Sequence, residues 1–380
     1  MSSPSPAVKR ALVLSGGGAR AAYQAGVLYA LAARQQGSTR SPFAIVCGTS
    51  AGAINAAAMA AGASRFALAA GRLRQLWSQL HVDAIYRADA VHLLGNAGRF
   101  LTSLVPGLAS RRPVSLLDNR PLGKLLAREI PFSAIRTAIA QGDLDALTIT
   151  AASYTSGMSV SFCAVNDQTV LWERAQRIGV RAQIGVPHLL ASSAIPFVFA
   201  PVALDGEYFG DGAVRQVAPT APALHLGADR ILVIGAARSS LRPPTHEAEP
   251  PTLAQVGSHV LASIFTDALG TDLEKVRLIN SAVRQIPAER LAQSPVPLRN
   301  VDLLVITPSV ELESIAHEHV TELPGSLRAM LRMVGATGEG GAGLLSYLLF
   351  EPGFIRRLIE LGLSDAHAKG AELDQFLSDA

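Results

Sequence analysis

Twice within its first 62 residues the chain passes from a short apolar run, through a tight glycine turn, into a helix-compatible stretch. The first unit is Ala11–Ser15, then Gly16-Gly17-Gly18, then a stretch from Arg20 to Ala33 in which Tyr23, Val27, Leu28 and Leu31 recur at helical spacing. The second is Phe43–Cys47, then Gly48-Thr49-Ser50-Ala51-Gly52, then an alanine-rich helix to about Ala61. Repeated strand–turn–helix units demand a parallel sheet, and wholly apolar strands demand helices on both of its faces. The expected fold class is therefore α/β, three layers deep, with a mostly parallel central sheet.

Further along, a helix is expected over Arg65–Leu80. A hairpin of Leu147–Tyr154 with Met158–Val165 turns at Ser156-Gly157, and a second turn falls at Asp205-Gly206. Ile231–Gly235 and Leu303–Thr307 read as strands, the first preceded by a helix around Thr220–Leu226. Residues 95–120, irregular with several Gly and Pro and the pair Arg111-Arg112, read as a mobile or substrate-covering insertion, and Arg238–Thr252 as an exposed Pro-rich loop. With no internal repeat and no linker, the organisation is a core over 8–236, remaining core elements over 237–323, and a helical C-terminal extension over 324–380.

Composition excludes two classes. Of 380 residues, 49% are hydrophobic and 17% charged, too apolar for a disordered chain. Two cysteines cannot staple a small disulfide fold. Cys47 and Cys163 read as small buried hydrophobes, which fits a reducing cytoplasm. Three charge-free runs, 41–64, 146–166 and 182–204, have the length of membrane spans. Their Gly48, Asn55, Pro187 and Pro196 mark them instead as interior segments of a soluble fold. No secretory leader is expected, because a strand pattern begins by Ala11.

The net charge of +3 is unevenly placed. Eight of the 33 Lys and Arg, and none of the 30 Asp and Glu, precede Asp83, which leaves −5 for the remainder. The basic residues are scattered and not interleaved with aromatics, so nucleic-acid binding is not expected. An anionic ligand or a membrane surface suits them better, with solvated surface as the default reading.

Gly48-Thr49-Ser50-Ala51-Gly52 is a GxSxG between strand and helix, the setting a nucleophilic serine needs. The turn lifts the Ser50 hydroxyl off the sheet, and the following helix directs its N-terminal dipole toward it. Gly16-Gly17-Gly18 leaves backbone N–H groups free for an anion or a developing oxyanion. A dinucleotide site on this loop would need an acid about 20 residues on. None exists before Asp83, so only NADP through Arg40 survives of that reading. The favoured alternative is an oxyanion hole serving Ser50 from the neighbouring strand. As base, no histidine stands in a distinctive context: His188 reads as a packed core residue, and His317 and His319 as a solvated face. Asp211, in Tyr208-Phe209-Gly210-Asp211-Gly212-Ala213, is the carboxylate that interrupts a long apolar region, and an apolar setting is expected to raise its pKa. An ordinary Asp-Gly turn, as at Asp205-Gly206, is the competing reading.

Taken together, Gly16-Gly17-Gly18-Ala19-Arg20, Gly48-Thr49-Ser50-Ala51-Gly52 and Asp211-Gly212-Ala213 resemble the three signatures of the patatin-like phospholipases. Asp118 to Leu122 and the run Ala191–Phe197 ahead of Pro201-Val202 also look familial, so the resemblance spans roughly residues 8–236. It implies a Ser50–Asp211 dyad without histidine, metal or cofactor, hydrolysing acyl esters of lipids. Gly16, Gly17 and Gly18 would form the oxyanion hole and Gly48 and Gly52 the elbow, while Arg20 would either orient a phosphate head group or fix the loop. The family's usual glycine after the arginine is Ala21 here. Two other functions share the motif set: a soluble carboxylesterase or thioesterase, and a non-catalytic binder of acyl chains or phosphate. Peripheral membrane contact through Leu344–Phe350 is the alternative to a buried helix there. Head group, chain length and oligomeric state are not written in the sequence.

Overall fold

The computed structural model describes residues 8–35, 38–89, 91, 92, 95, 98, 115–237, 250, 252–294, 298–338 and 341–378. Alternation along two short strands decides its layering. In β1 (Arg10–Leu14), Leu12 and Leu14 join one buried cluster while Ala11 and Val13 join another. β2 (Ile45–Thr49) sends Val46 to the first cluster and Ile45 and Cys47 to the second. Side chains alternate across a strand, so a strand buried on both sides must lie between two helical layers.

The remaining strands are β3 (Ala146–Ser153), β4 (Ser159–Val165), β5 (Glu173–Arg174), β6 (Arg177–Arg181), β7 (Val202–Leu204), β8 (Glu207–Asp211), β9 (Arg230–Ile234) and β10 (Asp302–Ile306). They form one sheet in the order β10-β9-β1-β2-β3-β4-β6-β5, with β8 on β3 and β7 on β8. From β10 to β3 every pairing is parallel. The β3–β4 hairpin and the short β7–β8 hairpin are antiparallel.

One face carries α1 (Ala22–Arg34), α2 (Ala51–Ala61), α3 (Phe66–Ser78), α4 (Arg120–Glu129), α5 (Phe132–Ala140) and α6 (Val186–Ser192) over the larger cluster. The other carries α7 (Ala221–His225) and, beyond α8 (Leu253–Ala262) and a π-helical turn (Ser263–Asp267), α9 (Ala268–Val283). After β10 come α10 (Leu312–Glu318), α11 (Gly325–Met333), α12 (Ala342–Leu348), α13 (Pro352–Ala368) and α14 (Gly370–Leu377). α13 lies along α1, where Gly26 meets the carbonyl of Ile359 and Gly362 that of Tyr23. Arg10 donates to the carbonyls of Phe376, Leu377 and Ser378 at 2.9–3.1 Å, closing the C-terminus of α14 onto β1.

The expected α/β architecture with C-terminal helices is what the chain adopts. The three charge-free runs become β2 with α2, the β3–β4 hairpin, and α6 with its following loop. No single helix among the described residues is long and apolar enough to cross a membrane. Leu344–Phe350 belongs to a buried segment, with Leu345 and Leu349 at 0% exposure, so it offers no membrane-docking face. β2 begins two residues later than expected and runs on through Gly48-Thr49, because pairing continues with β1 as far as Gly48 and with β3 as far as Thr49. His188 is not a core residue: it is partly exposed, edge-on to Phe162, and its Nδ1 accepts from the Gly185 N–H at the start of α6. Residues 99–114 of the expected insertion, with Arg111-Arg112, and 238–249 of the Pro-rich loop lie outside the described residues.

Candidate active site

The central feature of the site follows from strand register. β4 occupies one edge of β3. On the other edge β2 pairs as far as Thr49↔Thr150, and β8 takes over at Ala151↔Asp211. The chain leaving β2 at Ser50 therefore meets the end of β8 at Asp211, although 161 residues separate them. Ser50 Oγ donates to Asp211 Oδ2 at 2.6 Å.

Ser50 holds φ 56° and ψ −131°, a costly conformation for a residue with a side chain, in the sharp turn between β2 and α2. Gly52 permits that turn, since a Cβ there would strike the carbonyls of Leu14 and Ser15. Gly48 packs backbone to backbone against Gly52. The Ser50 N–H donates to Ser192 Oγ at 2.9 Å, and Ser192 in turn donates to the Thr150 carbonyl at 2.6 Å. Asp211 is fully buried, and its Oδ1 accepts from the Ala213 N–H at 3.0 Å. Burial pushes its pKa up to about 7, with the Ser50 and Ala213 hydrogen bonds opposing the shift.

The glycine loop lies beside this pair. A Cβ on Gly16 would stand 2.9 Å from that of Ser50. Gly17 sits against Ala236, and Gly18, at φ +55°, lies on the backbone carbonyl of Tyr347. Arg20 is 3% exposed. Its Nε donates to Ser346 Oγ and its Nη2 to Glu313 Oε1, both at 2.7 Å, and the guanidinium lies 4.1 Å from the Tyr347 ring centroid. These contacts tie Arg20, and with it the glycine loop, to the C-terminal helices. Ala21 sits at φ −67°, ψ −8°, an ordinary right-handed conformation, so its methyl is accommodated without strain. Arg40, the residue an NADP site would need, pairs instead with Asp143 at 2.9 Å.

His319 pairs with Glu322 and His188 with the Gly185 N–H, and neither hydrogen-bonds to Ser50 or Asp211. An apolar cleft opens from Ser50 and Gly18, walled by Ile54, Trp77, Leu125, Ile195, Phe199 and Phe350. Phe265, from the π-helical turn, lies over Gly16 and packs on Tyr347 with centroids 5.2 Å apart. No local pattern in the sequence signals this cover. Ser192 was within reach, lying in the run Ala191–Phe197 that carries part of the family resemblance.

A family model for patatin-like phospholipases matches residues 12–224. The chain belongs to that family. Membership in the patatin-like phospholipases supports lipid acyl-hydrolase activity. No curated protein matches the chain in sequence. Among solved structures, VipD from Legionella pneumophila is similar with a TM-score of 0.35 and 13% identity, over 95% of this chain and 68% of that one. A human GIVD cytosolic phospholipase A2, bound to methyl gamma-linolenyl fluorophosphonate, gives a TM-score of 0.45 and 14% identity. That match covers 98% of this chain and 59% of the human protein, so the patatin-like chain described here spans about three fifths of that relative's length.

Proposed function

We propose that the protein is a serine acyl hydrolase that cleaves carboxylic esters of lipids through Ser50 and Asp211. The observation that carries this reading is the 2.6 Å hydrogen bond from Ser50 Oγ to a wholly buried carboxylate whose pKa stands at about 7. A carboxylate with its ordinary pKa is a poor base for an alcohol, and one raised to the working pH is a far better one. Ser50 attacks the ester carbonyl and gives its proton to Asp211. The carbonyl oxygen becomes an oxyanion facing the N–H groups of Gly17 and Gly18, with Gly16 beside them. Collapse expels the alcohol, which takes the proton from Asp211 and leaves an acyl group on Ser50. Water then attacks the acyl-enzyme with Asp211 again as base, and the fatty acid leaves. The apolar cleft beside Ser50 would hold the acyl chain.

The test is labelling with an alkyl fluorophosphonate, followed by hydrolysis of a panel of phospholipids, lysophospholipids and monomeric esters. An adduct on Ser50, with activity absent from Ser50→Ala, is the expected outcome. Absence of labelling would favour a non-catalytic acyl binder, and activity on monomeric esters alone would favour a soluble esterase.

A further inference from the structure

Three buried polar side chains, one from each of the first three helices, form a continuous chain beneath the glycine loop. Trp77 of α3 donates from Nε1 to Asn55 Oδ1 at 2.7 Å. Asn55 of α2 donates from Nδ2 to Gln24 Oε1 at 2.9 Å and to the Ala21 carbonyl at 3.1 Å. Gln24 of α1 donates from Nε2 to the Ser15 carbonyl at 2.8 Å and to the Ile234 carbonyl at 3.1 Å. Gln24 and Asn55 have 0% exposure and Trp77 3%.

The direction of this chain is fixed by chemistry. An indole nitrogen can only donate, so Asn55 must present oxygen to Trp77 and its amino group to Gln24. Gln24 must then present oxygen to Asn55 and its amino group to the two carbonyls. Turning either amide over would set donor against donor or oxygen against oxygen in a site without water-exposed alternatives. Two of the three carbonyls that receive these bonds belong to Ser15 and Ala21, the residues that flank Gly16–Arg20, and the third, of Ile234, ends β9. The loop is thus gripped at both ends from below, while Arg20 braces it from the C-terminal helices. At the far end of the chain the Trp77 ring forms part of the wall of the apolar cleft and stacks on Phe350, at 6.3 Å and 18°. A group filling the cleft touches the same ring whose N–H begins the chain.

We propose that Gln24, Asn55 and Trp77 are positioning residues that hold the glycine loop in register with Ser50, and that Trp77 ties this hold to occupation of the cleft. The kinetic part rests on the acyl-hydrolase reading, whereas the grip on the loop does not. The experiment uses Trp77→Phe, which keeps a ring in the wall but removes the donor, and Gln24→Met, which keeps the shape but removes the bond to the Ser15 carbonyl and the acceptor for Asn55. Hydrogen–deuterium exchange is measured on peptides covering residues 15–24, alongside kcat and KM for acetyl and decanoyl esters.

In both variants, exchange over 15–24 is expected to rise at least tenfold, with the β3–β4 hairpin unchanged. kcat on the decanoyl ester falls about tenfold, equivalent to ~1.4 kcal/mol, with KM within about twofold, as expected for a defect felt in the transition state. Trp77→Phe also abolishes any kcat advantage of decanoyl over acetyl ester. Leu125→Ala, which opens the cleft without touching the chain, leaves exchange over 15–24 as it was. Unchanged exchange in Trp77→Phe and Gln24→Met overturns the proposal, as does a rise in KM alone. Faster exchange in a protein that hydrolyses no ester supports the grip on the loop and removes the hydrolase reading instead.

Discussion

At the scale of single residues, Asp211 links the proposed activity to stability. Its carboxyl is fully buried with a pKa of about 7, so the folded state binds its proton more tightly than the unfolded chain, whose ordinary value is 3.8. Between those two values the folded state holds the extra proton. The stability this contributes is complete below the ordinary value and is lost as pH rises through about 7. The form that can accept the Ser50 proton is therefore the form the fold tolerates least. kcat/KM for ester hydrolysis should rise with pH and level off above an apparent pKa near 7, measured in a pH–rate profile at subsaturating ester. Asp211→Asn keeps the shape and never ionises. Under the proposed hydrolase reading it should lower hydrolysis by roughly 10³-fold or more, as loss of a residue acting in a catalytic unit does, and raise the melting temperature at pH 8 relative to the unsubstituted protein. The gain should vanish by about pH 4, which calorimetry at the two pH values would register. A melting temperature that changes equally at both would show that the carboxyl is not held against its ionised form.

At the scale of elements, the site is a junction where β2 and β8 meet along one edge of β3, and its exactness depends on what closes that junction. Ser192 of α6 does so by accepting from the Ser50 N–H and donating to the Thr150 carbonyl. Ser192→Ala leaves both groups unpaired in a buried site, a loss of about 1–3 kcal/mol, read as a lower denaturant midpoint with an unchanged slope. Activity should fall with it, since the Ser50 backbone loses its tether. Ser192 also marks what the sequence could disclose. β1 and β2 were legible because an apolar run ending in glycine is a local signal. The Ser50 turn was legible for the same reason, and Asp211 because it ends a short strand before Gly212 in a long apolar region. Phe265 over Gly16, and the grip of Gln24 and Asn55 on the loop, depend on which helices come to lie side by side, and no local pattern encodes that. His188 misled for a related reason: an apolar neighbourhood in sequence became a partly exposed helix start in space.

At the scale of the whole molecule, the family match ends at residue 224, but the buried interior does not. α13 sets Phe354, Ile355, Leu358, Ile359 and Leu361, all at 8% exposure or less, into the cluster that also contains Val27 and Leu31 of α1. Burial of a large apolar side chain is worth about 1.5–3 kcal/mol, so these five together approach the ~5–15 kcal/mol net stability of a typical domain. α12 supplies the Tyr347 carbonyl under Gly18 and the Ser346 hydroxyl that Arg20 bonds, so the C-terminal helices also shape the glycine-loop side of the site. A catalytic unit bounded at about residue 236 would lack both contributions. A chain ending at Phe350 keeps α12 but loses α13 and α14, exposing the α1 face and freeing Arg10 from the carbonyls it caps. That truncation should lose cooperative unfolding and bind a hydrophobic dye at neutral pH, the behaviour of a collapsed chain without fixed packing. Ester hydrolysis should be lost with it even though Ser50, Asp211 and all three glycines remain. A truncated chain that unfolds cooperatively and stays active would place the boundary of the catalytic unit before α13, where sequence similarity alone would put it.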